Sequence, residues 1–233
     1  MNPLIVALDF TTASEAVAMA KRLVAEVGGF KVGLELLLGP GPGIVTALRD
    51  LGPPVFVDAK LHDIPNTVGA AARQLARLGA RWVTVHGGGG GPMLAAAVAG
   101  LEEGAAGHPA GVLAITVLTH LTDADLAATG VSGGSGRQTA RLAKLAAAAG
   151  VEGVVCAVRE LGDVAQVAPG LLRVTPGIRP PGFDSDDQSR VSSPEEAAAR
   201  GADFIVVGRP ITRAKDPAAV ARQMVAAATR IQS

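Results

Sequence analysis

A single-domain (β/α)8 barrel spanning residues 1–233 is the fold class the sequence predicts, on three observations. Short β-rich apolar runs alternate with alanine-rich helical stretches from one end of the chain to the other. These runs are continuously apolar rather than half-polar, as expected of parallel strands covered on both faces. Eight such units fill 233 residues, close to the ~250 usual for this barrel. A doubly wound open sheet is the rival for the same alternation. No Pro/Gly/Ser-rich linker separates two halves.

The elements follow in order. "LIVALDF" from Leu4 is the first strand, and "SEAVAMAKRLVAEV" is a helix that Ser14 is placed to cap. "FKVGLELL" from Phe30 and "PVFVDAKL" from Pro54 are the second and third strands. "TVGAAARQLARLG" is a helix ending at Gly79, a residue suited to a C-cap. "RWVTVHG" from Arg81, "GVLAITVLT" from Gly111 and "GVVCAV" from Gly153 are strands four to six. "LLRVTPGI" from Leu171 is the seventh, followed by "EEAAARG", which ends at Gly201. "DFIVVGRPI" from Asp203 is the eighth. In "DPAAVARQMVAAATRI", Asp216 takes the N-cap and Pro217 the first helical position. Residues 120–138, "HLTDADLAATGVSGGSGRQ", are too long for a simple strand–helix loop. They read as a short helix and a Gly/Ser-rich tip, either a lid over the barrel mouth or a surface insertion.

Composition narrows the function. Twenty-one basic and 21 acidic residues cancel, so no global field favours nucleic acid or an anionic membrane. Aromatic residues are only 3%, too few for a base-stacking surface. No apolar run approaches the roughly 20 residues of a membrane span. "MNPLIVALDF" lacks the basic leader and long apolar core of a signal peptide, so a cytoplasmic location is expected. The single cysteine, Cys156, reads as a small buried hydrophobe.

Charge is scarce at 18% of residues, yet it concentrates where a barrel places its chemistry, at the C-terminal ends of strands. Asp9 ends the first strand, Lys31 lies on the second, and Asp58 and Lys60 end the third, with Asp63 in the loop beyond. Strand alternation puts Phe56, Asp58 and Lys60 on the inner face, and Val55, Val57 and Ala59 towards the helices. Burying unpaired ions is costly, so such a group persists as an alternating network. With two lysines balanced by aspartates, one lysine is left positioned as a proton donor. "TPGIRP" around Arg179 and "VVGRP" around Gly208 and Arg209 follow strands seven and eight, the usual phosphate site of a barrel. Gln188 lies on a phosphate-loop segment around residues 179–192 that can close over the same group.

Two decoys resemble an esterase. "HGGGGG" from His86 looks like an oxyanion loop, and "GVSGG" from Gly130 fits G-x-S-x-G. Ser132 does not follow a strand, and all four histidines precede it. The hydrolase order is therefore missing.

"FVDAKLHDIPNT" resembles the D-x-K-x-x-D-I signature of the orotidine 5′-phosphate decarboxylase family. "ALDF", "FKVG", "TVLT", "TPGIR" and "VVGRPI" follow the family's order over the whole chain. Related 3-keto-gulonate 6-phosphate decarboxylases and hexulose 6-phosphate synthases share the D-x-K-x-x-D core. They typically carry a metal-binding glutamate where Lys31 stands, so the resemblance implies the branch that uses neither metal nor cofactor. It further implies Lys60 as the proton donor within a network of Lys31, Asp58, Lys60 and Asp63. Asp9 and Lys31 would bind ribose hydroxyls, Thr119 would lie near the base, and Arg179, Gln188, Gly208 and Arg209 would surround the phosphate. The resemblance also implies a homodimer with shared sites, with Asp63, Ile64 and Thr67 beside the neighbouring subunit's substrate. His120, where bacterial members often carry a small hydroxyl residue, leaves the base contacts open.

Overall fold

The computed structural model describes residues 2–180 and 192–229. Eight parallel strands close into a barrel in sequence order. They are β1 Leu4–Ala7, β2 Gly29–Val32, β3 Val55–Leu61, β4 Trp82–His86, β5 Gly111–Ile115, β6 Gly153–Val155, β7 Leu172–Thr175 and β8 Phe204–Val207. Between them run α1 Ala13–Leu23, α2 Leu34–Leu38, α3 Gly43–Arg49, α4 Pro65–Arg77, α5 Gly91–Ala105, α6 Asp123–Ala128 and α7 Gly134–Ala148. The outer layer is completed by α8 Leu161–Val167, α9 Pro194–Ala199, α10 Arg209–Thr212 and α11 Pro217–Thr229.

Strand parity divides the core in two. Ile5, Ala7, Phe56, Trp82, Leu113, Val174, Phe204 and Val206 pack together inside the barrel. Their neighbours in sequence, such as Leu4, Val6, Val55, Val57, Val83 and Ile205, join the larger cluster between strands and helices. The lower interior is thus filled with apolar side chains. At that end the Arg81 guanidinium lies 4.5 Å from the Trp82 ring centroid and pairs with Glu152. Continuing the inner parity upward along β1, β2 and β3 leads to Asp9, Lys31 and Asp58. The charge therefore sits on top of a packed apolar plug.

Local signals hold at most helix ends. Gly79 and Gly201 adopt positive φ just past α4 and α9, and Asp216 accepts a hydrogen bond from Ala219 N–H at 3.0 Å. The first cap is a correction. Thr12, not Ser14, caps α1, its hydroxyl accepting from Glu15 N–H at 3.3 Å. Thr12 keeps extended backbone while Ser14 is already inside the first turn. The second strand is also shorter than its apolar run, because Leu34–Leu38 is helical. A run of four leucines and a glutamate fits either period, and length alone does not separate them. Within residues 120–138, Thr122 and Asp125 form a capping box for α6. The Gly/Ser-rich part runs into the first turn of α7, which begins at Gly134, and there Ser135 N–H donates to Asp123 at 2.9 Å.

Helices α4 and α5 approach backbone to backbone. A Cβ on Gly100 would stand well inside van der Waals contact distance of the Gly69 carbonyl oxygen, and one on Gly104 inside that of the Arg73 carbonyl oxygen. The approach matters because α4 begins at Pro65, immediately after the charged end of β3. Gly100→Ala is expected to destabilise the fold by about 1–3 kcal/mol through overpacking, despite alanine's better helix propensity. Thermal unfolding should show Tm lower by about 2–4 °C per kcal/mol.

Candidate active site

One cavity opens at the C-terminal end of the barrel. Asp9, Lys31, Asp58 and Lys60 line one side, and Gly177, Arg179, Gly208 and Arg209 another. In a closed eight-stranded ring β3 and β7 stand opposite each other. The lysine–aspartate group and Arg179 therefore face one another across the mouth. Thr119 lines the wall between them, in the loop beyond the end of β5.

Asp58 is the hub. Its Oδ2 lies 2.7 Å from Lys60 Nζ and 3.6 Å from Lys31 Nζ, and Lys31 Nζ also lies 3.3 Å from Asp9 Oδ1. The order Asp9–Lys31–Asp58–Lys60 alternates in sign from exposed Asp9 to part-buried Lys60, so each ion has an opposite neighbour. Gly33 and Gly208 flank Asp9. A Cβ at Gly33 would stand 3.2 Å from Lys31 Nζ, and one at Gly208 would stand 3.4 Å from Asp9 Oδ2. Burial is the largest single influence on the Asp58 carboxyl and pushes its pKa up. The charges of Lys31 and Lys60, with hydrogen bonds from Lys60 and Thr84, together outweigh burial and hold it below the usual carboxylate value. Asp58 is accordingly ionised throughout the neutral range.

The strand bends to make this arrangement. The β3–β4 register runs Phe56 to Trp82 and Val57 to Val83, then resumes at Leu61 opposite Val85. Residues 58–60 therefore oppose Thr84 alone, a bulge of the kind that re-aims side chains beside active sites. Lys60 sits at φ +50°, in the left-handed region, which costs a non-glycine residue about 1–2 kcal/mol.

Sequence reasoning did not single out Thr84. It is fully buried on β4, its hydroxyl donating to Asp58 Oδ1 at 3.0 Å and accepting from Lys60 N–H at 2.8 Å. The available signal was its inner-face parity between Trp82 and His86. His86 ends the same strand half-buried, its ring centroid 5.3 Å from that of His62. Burial first, then His62 and Lys60, lowers its pKa, so the ring is neutral near pH 7. Cys156 lines the cavity wall but is buried, as expected, and burial pushes its thiol up to about 12.

Three expected site residues stand apart from this group. Asp63 is exposed, and its carboxylate accepts the N–H of Ile64 at 2.6 Å. Ile64 is 66% exposed, and Thr67 is exposed in the first turn of α4. Gln188 lies outside the described residues. On either side of its segment, Arg179 N–H donates to Ser192 O at 3.0 Å and Ser192 N–H to Gly177 O at 3.2 Å. The two ends of that segment thus meet at the cavity, where Arg179 is 7% exposed.

A pH dependence follows from Asp58. Its folded pKa is depressed, so its contribution to stability is complete above the unfolded value of about 3.9 and is lost as pH falls through the folded value. Asn at this position resembles the protonated acid. The stability difference between wild type and Asp58→Asn, from denaturant melts, should be constant from pH 5 to 8 and shrink below about pH 4.

The likeness to known proteins covers the same residues. A profile described as "Orotidine 5'-phosphate decarboxylase / HUMPS family" matches residues 2–224. The orotidine 5'-phosphate decarboxylase of Paramagnetospirillum magneticum is 46% identical over 97% of this chain and 98% of its own. That of Anaeromyxobacter sp. (strain K) is 50% identical over 94% of this chain and 95% of its own. The crystal structure of orotidine 5'-phosphate decarboxylase from Lactobacillus acidophilus superposes with a TM-score of 0.88 at 35% identity, covering 98% of this chain and all of that one. With its barrel, its D-x-K-x-x-D strand end and its near-full-length relatives in agreement, this chain belongs to the orotidine 5′-phosphate decarboxylase / HUMPS family.

Proposed function

We propose that the chain decarboxylates orotidine 5′-phosphate to UMP and CO2, a step of pyrimidine nucleotide synthesis. The observation that carries this reading is the Asp58 carboxylate held between two ammonium groups, facing Arg179 across one cavity. The relatives named above carry the same activity in their names.

The chemistry fits the charge order. When the C6–carboxylate bond breaks, its electron pair stays on C6 and CO2 departs. The carbanion has no adjacent group to delocalise it well, so stabilisation must be specific to the transition state. Lys60, the more exposed of the two lysines, supplies positive charge where negative charge develops and then gives C6 a proton. Asp58 stands beside the departing carboxylate. Like charges at ~4 Å repel by about 4 kcal/mol at an effective dielectric of 20. At 1.36 kcal/mol per tenfold, relief of that repulsion is worth about three decades at most. Asp9 and Lys31 take the ribose hydroxyls, and Thr119 lies near the base. Arg179, Gly208 and Arg209, with Gln188, take the phosphate. Phosphate binding far from C6 gives energy that can be spent on closing the site. Since the positive charge at the reacting end comes from Lys31 and Lys60, the reading requires neither metal nor cofactor.

The partner is a second copy of the chain. His62, Asp63, Ile64, Pro65, Asn66 and Thr67 form a continuous exposed stretch next to Lys60, and Leu34 and Leu38, on the helix that follows the neighbouring strand β2, are 44% and 77% exposed. A homodimer that buries this edge brings Asp63, Ile64 and Thr67 to the other subunit's substrate. The reading assigns no nucleic acid or membrane partner, in line with zero net charge, and places the enzyme in the cytoplasm. Among the described residues no helix is long and apolar enough to cross a membrane.

Purified protein should convert orotidine 5′-phosphate to UMP in the presence of excess EDTA, followed by the loss of substrate absorbance. Absence of turnover, or turnover only after metal is added, overturns the reading. Lys60→Ala should abolish turnover while UMP still binds in calorimetry. Mixing inactive Lys60→Ala and Asp63→Ala chains should regain activity, because each mixed dimer rebuilds one intact site. No recovery in mixtures shown to exchange subunits would refute the shared site.

A further inference from the structure

We infer that Thr84 is a positioning residue for this reaction: its buried hydroxyl sets both the backbone of Lys60 and the carboxylate of Asp58. The inference rests on the decarboxylase reading above and adds a residue to it. Three residues of β3, 58–60, lie opposite Thr84 alone, between the register pairs Val57–Val83 and Leu61–Val85. A bulge removes regular main-chain partners from the strand that carries it. Here the Lys60 N–H finds its acceptor in a side chain, Thr84 Oγ1, at 2.8 Å. The same oxygen donates its proton to Asp58 Oδ1 at 3.0 Å. One hydroxyl group therefore uses both its donor and an acceptor position on the two ends of Asp58–Ala59–Lys60.

The geometry gives that hydroxyl a task no other described contact performs. Lys60 is one of two non-glycine residues at positive φ among the described residues. A backbone in that region persists when its surroundings over-determine it, and the Thr84 bond holds the N–H that such a turn would otherwise leave unpaired. On Asp58 the division is equally clear. Oδ2 faces the ammonium groups of Lys60 and Lys31, while Oδ1 is held by Thr84. Fixing Oδ1 from below stops the carboxylate from rotating and keeps Oδ2 towards the cavity. Threonine suits the role because its branched Cβ restricts χ1, which aims the hydroxyl. Thr84 is fully buried and does not line the cavity. It acts through Asp58 and Lys60 rather than on substrate.

Thr84→Val keeps the shape and removes the hydroxyl. The expected result is a fall in kcat of about 10- to 100-fold, the scale of a displaced reacting group, with the dissociation constant for UMP within about threefold of wild type. Thr84→Ser should recover most of kcat. Thr139→Val serves as the control, since Thr139 is a fully buried threonine on α7 whose hydroxyl has no hydrogen-bond partner among the described residues. It should leave kcat unchanged. The inference is overturned if Thr84→Val keeps wild-type kcat, if kcat and UMP affinity fall together, or if serine fails to recover activity. Should Thr84→Val not fold, Thr84→Ser and Thr84→Ala are compared instead, and equal kcat in the two overturns it. A wild-type protein with no turnover would count against the decarboxylase reading, whereas an active wild type isolates the role of Thr84.

Discussion

The Asp58 carboxylate between two ammonium groups is the interaction on which the rest of this molecule depends. Burial by itself pushes a carboxyl pKa up, against its charged form. In the alternating order from Asp9 through Lys31 and Asp58 to Lys60, each charge meets an opposite one, and the two lysines hold the Asp58 carboxyl below its usual value. That order requires side chains from three strands to meet at nearly one height. Parallel strands in a closed barrel provide this, because their C-terminal ends form a common rim.

Several features follow from protecting the arrangement. The apolar plug below, from Ile5 to Trp82 and Phe204, leaves the charges no route downward. The bulge in β3 turns Lys60 back onto Asp58 at the cost of a left-handed residue. Small residues leave space where the charges crowd, as at Gly33 and Gly208 beside Asp9. Across the mouth, backbone bonds between Arg179 and Ser192 and between Ser192 and Gly177 hold Arg179 at the cavity wall.

Much of this was legible in one dimension. Asp9, Lys31, Asp58 and Lys60 could be placed on one rim because strand parity is a local property, and Phe56 and Asp58 face inward as parity requires. The caps at Gly79, Gly201 and Asp216 were readable for the same reason. What escaped was non-local. The alternation of Phe56, Asp58 and Lys60 reads as an unbroken strand, so neither the register shift nor the backbone of Lys60 could be seen. Thr84 looked like one more β-branched strand residue. Its meaning comes from a partner 26 positions away in sequence.

The sequence by itself therefore determined the barrel, its rim and the identity of the charges, since all three rest on periodicity and on residue type at strand ends. Tertiary structure alone decided which atoms meet. It assigned Oδ2 of Asp58 to the lysines and Oδ1 to Thr84, and it set Asp63 apart on an exposed edge. The physical reason is that a hydrogen bond depends on separations of a few tenths of an ångström between strands. Those separations are set by register, bulge and packing, none of which is written in the spacing of residues along one strand.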